Sequence, residues 1–181
     1  MNDDPDSPSL NVIVRIEDEA WLRDLPDAQA LSIDAALATL ACSKTGALAE
    51  AGSIELGLLL TSDEAMRALN RDYRGQDRPT NVLAFEASAP AGEARAAGQP
   101  RLLGDVVLAR ETLLREAQAQ GKAAVDHLRH LVVHGVLHLL GFDHQAEAEA
   151  ARMEAAEVEI LGGLGVADPY AGAGGRVRAG P

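Results

Sequence analysis

The sequence has few of the residues that build disulfide-linked or membrane-spanning proteins. Its 181 residues contain one cysteine, Cys42, which excludes an internal disulfide and any zinc site made of cysteines. Only 3% of the residues are aromatic, so the core must be aliphatic. No apolar run approaches the roughly 20 residues of a membrane helix, and the acidic N-terminus lacks the pattern of a secretory signal. These shortages predict a soluble cytoplasmic protein in which Cys42 is a small core residue.

Basic residues are also outnumbered. The chain has 16 Lys and Arg against 28 Asp and Glu, which gives a net charge of −12. Nonspecific binding to nucleic acids depends on basic surface, so this balance argues against a broad, sequence-blind RNA binder. It is compatible with a site that touches a few phosphates while contacts with a partner supply the targeting.

All five histidines of the chain lie within residues 127–144. They are His127, His130, His134, His138 and His144. On a helix, the first four fall within an arc of about 80°. Leucine and valine fill most of the remaining circumference, and a helix that is apolar nearly all round is a buried one. The sequence therefore predicts a central buried helix that carries a stripe of histidines.

Three of these histidines have the spacing of a metal site. His134 and His138 lie one turn apart on one face, and Gly141 predicts a helix end after which His144 returns over that face. Three imidazoles leave a fourth position for water, as in catalytic zinc sites. The alternative, three separate core histidines, is disfavoured because burying several unpaired polar rings is costly. We therefore expect one Zn²⁺, with Ni²⁺ as an ion that purified protein could carry instead.

The residue after His134 separates two kinds of hydrolase. In metalloproteases of the H-E-x-x-H type this position is the glutamate that acts as general base, whereas here it is Gly135. A metal-dependent peptidase or amidohydrolase is therefore the weaker alternative. A metal ion that polarises its substrate and activates water also suits phosphodiester cleavage.

Residues 134–144, His-Gly-Val-Leu-His-Leu-Leu-Gly-Phe-Asp-His, closely resemble the H-G-x-L-H-L-x-G-Y-D-H signature of the YbeY family. Residues 69–85, 103–107 and 157–170 resemble the family in the same order. YbeY proteins are bacterial metal-dependent endoribonucleases of ribosomal RNA maturation. The resemblance implies a single-strand-specific endoribonuclease that acts in ribosomal RNA processing and ribosome quality control. It also implies single-stranded and ribosomal RNA as substrates and a ribosome or ribosome-associated protein as partner. A non-enzymatic ribosome-assembly factor with a structural metal is a further alternative.

The resemblance also gives Arg74 a role. Gly75 and Pro79 place Arg74 at a turn before a strand, from which its guanidinium could hold a phosphate through two hydrogen bonds. The matching arginine of YbeY proteins is taken as functional, which implies that Arg74 is catalytic. His130 and His127, farther up the histidine face, are candidates for contacts with substrate or for support of the ligands, and packing is the alternative for His130.

The order of the predicted elements indicates the fold class. Periodicity predicts about four strands and five helices, namely strands 11–16, 53–60, 81–85 and 102–108 and helices 27–42, 62–72, 111–120, the histidine helix and 145–161. This order is typical of a single α+β domain, residues 11–170, with one mixed sheet packed around the histidine helix. We expect a disordered acidic tail at 1–10, a flexible Gly-rich tail at 171–181 and a flexible connection at 88–100. On the last helix, Met153, Glu154 and Glu157 are expected on a solvated face, and support of the metal site is the alternative for them.

Overall fold

The computed structural model describes residues 9–42, 45, 53–87, 99–144 and 146–171. These ranges contain four strands and six helices: β1 Ser9–Ile16, α1 Ala20–Asp24, α2 Ala28–Ala41, β2 Ser53–Thr61, α3 Asp63–Arg74, β3 Val82–Glu86, β4 Arg101–Ala109, α4 Arg110–Gln120, α5 Ala124–Leu139 and α6 Glu147–Gly163. The predicted α+β fold is confirmed, and α1 is a helix that the sequence analysis did not predict. None of these helices is both long and apolar enough to cross a membrane.

The predicted tails and the predicted connection lie mostly outside the described residues. The exceptions are at their inner ends: β1 begins at Ser9, so it includes the last two residues of the predicted acidic tail, and Ala171 is in a turn. Of the connection at 88–100, residues 88–98 lie outside the described ranges.

The four strands form one mixed sheet in the order β1-β2-β4-β3. β2 is parallel to both β1 and β4, and β3 runs antiparallel to β4 at the edge. Burial alternates along β2, so that one face of the sheet contributes to the main core. That face packs against α5, which also contacts α2, α4 and α6. The predicted central position of the histidine helix is therefore confirmed.

The opposite face of the sheet is covered in part by α3. Met66 of α3 is fully buried and packs with Leu83 of β3 and Val107 of β4 in a second, smaller cluster. This packing places Arg74, the last residue of α3, next to the segment that leads into β3. Cys42, predicted as a small core residue, is half-buried against the edge of the main core.

Gly135 allows α5 to approach the sheet closely. A Cβ atom built on Gly135 would lie 2.5 Å from Cγ1 of Val106 and 3.2 Å from Cγ2 of Val82. Carbon atoms in contact are normally about 3.5–4.0 Å apart, and Val106 is fully buried in β4. Packing of the helix on the sheet therefore requires glycine at the position where a metalloprotease has its glutamate.

We expect Gly135→Ala to lower the free energy of unfolding by about 1–3 kcal/mol, the usual cost of overpacking a core. Gly162→Ala in α6 is the matched control, because a Cβ there meets nothing within 4 Å. The control should be neutral or stabilising by up to about 1 kcal/mol, since alanine is the better helix former. Urea unfolding of both variants measures the difference. Equal stability of Gly135→Ala and the wild type would contradict the close approach.

Candidate metal centre

The turn after α5 brings His144 back over the end of the helix. Gly141 has a φ of +84°, a left-handed conformation that glycine adopts without steric cost. The next residue, Phe142, is buried, and its backbone N–H donates a hydrogen bond to the carbonyl of Leu137. The side chain of Asp143 accepts a hydrogen bond of 2.7 Å from the backbone N–H of His144. A glycine and a buried aromatic ring therefore fix the turn that the sequence predicted.

The three histidines that were predicted to bind metal lie together. One ring nitrogen of each of His134, His138 and His144 lies within 4.8 Å of the other two. The Nε2 atoms of His134 and His138 are 3.1 Å apart. Two ligand atoms that are each 2.0–2.1 Å from a tetrahedral zinc ion are separated by about 3.3 Å. This group of three histidines could therefore hold one metal ion.

The protonation state of His138 suits metal binding. Burial, and after it the neighbouring His134 and His144, lowers the pKa of His138 to about 4. Imidazole must be neutral to bind a metal, so His138 is in its ligand form near neutral pH. His134 and His138 are half-buried and His144 is exposed, so the group is open to solvent on the side of His144.

Glu157 of α6 supports the ligand group from behind. Its side chain is 1% exposed, and Oε1 lies 2.8 Å from Nδ1 of His134. The hydroxyl of Tyr170 donates a hydrogen bond to Oε2. Burial by itself would raise the pKa of Glu157, but the neighbouring His130 and His134 outweigh it and hold the pKa well below its usual value. The ionised carboxylate can only accept, so Nδ1 of His134 carries the proton and Nε2 is left to bind a metal.

The prediction of a solvated face on the last helix was wrong for Met153 and Glu157. Both side chains are buried, whereas Glu154 is half-buried. The sequence does hold a signal for Glu157: it lies at helical spacing from Met153 and Leu161, on the apolar stripe of α6. A carboxylate on a buried stripe requires a buried partner, and here that partner is His134.

We expect Glu157→Gln to weaken metal binding by about 10–100-fold, the usual effect of changing a group that orients a ligand. Glutamine keeps the shape of the side chain but removes the charge that fixes the proton on His134. Competition with a coloured chelator measures the affinity. Glu149→Gln, an exposed position of the same helix, is the control and should bind metal as the wild type does. Unchanged affinity in Glu157→Gln would remove Glu157 from the site.

His130 and His127 occupy different surroundings. Nε2 of His130 lies 3.8 Å from Oε1 of Glu157, so His130 borders the three-histidine group without belonging to it. His127 is 4% exposed, and its Nε2 lies 2.9 Å from Oε2 of Glu116 on α4. His130 therefore lies beside the three-histidine group, and His127 is held near the start of α5.

Arg74 is exposed at the end of α3 and lines a polar cavity of about 240 Å³. The other lining residues are Asn70, Gln76, Arg78, Pro79, Thr80, Asn81, Thr112, Arg115 and Glu116. Three guanidinium groups thus surround this cavity on a chain of net charge −12. The three histidines do not line it. The cavity is linked to α5 through Glu116, which contacts His127.

Comparison with known proteins identifies the family of the chain. The family model described as Endoribonuclease YbeY matches residues 16–165. The endoribonuclease YbeY of Rhodospirillum rubrum is 53% identical over 157 residues, covering 86% of this chain and 78% of the relative. That of Azorhizobium caulinodans is 49% identical over 162 residues, covering 90% and 97%. The three histidines, Glu157 and Arg74 all lie within the matched range, and the chain belongs to the YbeY endoribonuclease family.

Proposed function

We propose that the protein is a zinc-dependent endoribonuclease that cleaves single-stranded RNA in the cytoplasm, in ribosomal RNA processing and ribosome quality control. The observation that carries this proposal is the group formed by His134, His138 and His144, which offers three imidazole ligands and is open on one side. Such a group is typical of catalytic zinc sites. The relatives named as endoribonucleases give the reaction class.

In the proposed mechanism, His134, His138 and His144 would hold the ion, and Glu157 orients His134. A Zn²⁺ ion bound there would supply Lewis-acid chemistry, which suits the hydrolysis of a phosphodiester. Arg74 binds the scissile phosphate through two parallel hydrogen bonds and stabilises the negative charge that develops on it.

The charge distribution supports a small RNA contact area. Arg74, Arg78 and Arg115 line one cavity, while the chain as a whole is strongly acidic. A few arginines suffice to hold one or two phosphates, and a net charge of −12 does not favour the salt-dependent affinity that an extended basic surface provides. A ribosome or a ribosome-associated protein would then supply the remaining affinity and the choice of cleavage site.

Two observations weigh against the alternative functions. A peptidase or amidohydrolase of the H-E-x-x-H type needs a glutamate at Gly135, where a Cβ atom would already collide with Val106. A non-enzymatic assembly factor would use its metal structurally, and structural zinc sites are closed by four protein ligands. Among the described residues, the group that could hold a metal has three members.

The proposal predicts that zinc-loaded protein cleaves a single-stranded RNA internally and leaves a duplex of the same sequence intact. Protein stripped with a chelator should be inactive and should regain activity when zinc is returned. Gel electrophoresis of end-labelled RNA measures the cleavage, and His134→Ala controls for a contaminating nuclease. Persistent inactivity with Zn²⁺, and with Ni²⁺ in its place, would refute the endoribonuclease proposal. Equal cleavage of the duplex would refute single-strand specificity.

A further inference from the structure

One carboxylate oxygen joins three elements near Arg74. Oε2 of Glu116, on α4, lies 2.9 Å from Nδ2 of Asn81 and 2.9 Å from Nε2 of His127. Asn81 directly precedes β3, and His127 lies in the first turn of α5. Glu116 therefore connects the start of β3 to the helix that carries the histidines.

The contact is partly shielded from water, which makes its loss costly. His127 is 4% exposed and Glu116 is 32% exposed. Burial by itself would raise the pKa of Glu116, but hydrogen bonds from His127 and Asn81 hold that pKa below its usual value. The carboxylate is therefore ionised at neutral pH, and hydrogen bonds to an ionised acceptor are roughly twice as strong as neutral ones.

The chain between Arg74 and Asn81, here called the arginine segment (residues 74–81), is fixed at several points. The side chain of Asn70, 2% exposed, donates a hydrogen bond of 2.8 Å to the carbonyl of Arg78. Asn81 accepts a hydrogen bond through its side-chain oxygen from the backbone N–H of Val82. The contact with Asn70 holds the segment to α3, and the contact with Val82 is local to the start of β3. Glu116 adds the connection to α5.

We propose that Glu116 is a positioning residue that sets the place of Arg74 relative to the three histidines. This inference rests on the proposed role of Arg74 in binding the scissile phosphate. One phosphate can be held by the metal site and by Arg74 together only if their separation is fixed, and a misplacement of about 1 Å can cost roughly 100-fold in rate. Glu116 acts through Asn81 on the arginine segment and through His127 on α5, which also gives the buried His127 a function.

The test combines Glu116→Gln with Arg74→Ala in zinc-loaded protein. Glutamine keeps the size of the side chain, but its amide has no negative charge. It therefore weakens the hydrogen bonds that Glu116 accepts from Asn81 and His127. In the wild-type background we expect kcat for RNA cleavage to fall roughly 10- to 100-fold, with zinc affinity unchanged. In the Arg74→Ala background the same substitution should change kcat less than about twofold, because residues that act as one unit are not additive.

Hydrogen exchange gives a readout that does not depend on activity. Glu116→Gln should speed exchange of the backbone amides of residues 74–82 and leave those of α6 unchanged. Glu111→Gln is the matched control: this glutamate also ties α4 to a neighbouring element, since it accepts a hydrogen bond of 2.8 Å from the backbone N–H of Asp63. Any fold-decrease in kcat caused by Glu111→Gln should be the same in the wild-type and Arg74→Ala backgrounds, as for independent sites.

The possible outcomes separate the two proposals. Equal losses of kcat from Glu116→Gln in both backgrounds, or no loss in either, would overturn the positioning role while the nuclease proposal stands. Unchanged exchange in residues 74–82 would also overturn it. A wild-type protein that cleaves no RNA would refute the proposed function first, and the positioning role with it. If Arg74→Ala alone keeps the wild-type rate, Glu116 has no catalytic group to position and the inference is wrong.

Discussion

Replacing His138 with alanine is expected to abolish stoichiometric metal binding and, with it, RNA cleavage. The variant leaves two imidazoles, His134 and His144, and the second of these lies on an exposed turn. Changing a group that merely orients a ligand weakens binding by up to about 100-fold, so removal of a ligand should cost more than that. Elemental analysis after gel filtration measures the bound ion, and circular dichroism establishes that the variant is folded.

His130→Ala is the control for this experiment. His130 lies on the same face of α5, one turn before His134, and its Nε2 is 3.8 Å from Glu157. The control should retain one ion and lose only part of the activity. One tightly held ion in folded His138→Ala would show that the ligand assignment is wrong. Loss of the ion from His130→Ala would place His130 among the ligands.

The histidine helix was predictable because its signal is local. Apolar residues surround the stripe in sequence as well as in space, and Gly141 marks the turn before His144. β4 was predicted at 102–108 and spans Arg101–Ala109 for the same reason, since its apolar run reflects burial in the sheet. The order of strands in the sheet has no such local signal, so only the mixed character of the sheet was predictable.

The features that were missed depend on contacts between distant parts of the chain. α1 has five residues, too few for a periodic pattern, and is held by Trp21, whose indole N–H donates to the carbonyl of Thr61. Glu157 lies in an Ala- and Glu-rich helix, and its burial is decided by the packing of α6 against α5.

The residues that meet at Glu116 lie far apart in the chain. Asn81, Glu116 and His127 come from three separate parts of the chain, so no spacing in the sequence could connect them. In the same way, the sequence showed that Gly135 cannot be a base. Only the structure shows that Val106 lies too close to α5 for any larger residue at position 135.

Replacing Arg74 with lysine is expected to keep the fold and the metal but to lower the rate of RNA cleavage by about 10²–10³-fold. Removing one preorganised donor to the transition state typically has an effect of this size, about 3–4 kcal/mol. Lysine keeps the positive charge but lacks the planar fork that matches two phosphate oxygens. The measurement is kcat on single-stranded RNA with zinc-loaded protein, together with zinc content and urea unfolding.

Arg71→Lys, one turn earlier on α3, is the matched control, because Arg71 is exposed and pairs with its neighbour Asp72. An exposed arginine without a catalytic role changes the free energy of unfolding by less than about 0.5 kcal/mol, and its replacement should leave kcat unchanged. Arg74 and Arg71 carry the same charge on the same helix, so a general electrostatic attraction for RNA would make the two variants behave alike. A loss of rate confined to Arg74 would therefore place its guanidinium at the reacting phosphate. Wild-type rates from both Arg74→Lys and Arg74→Ala would remove Arg74 from the mechanism, and catalysis would then depend on the metal site alone.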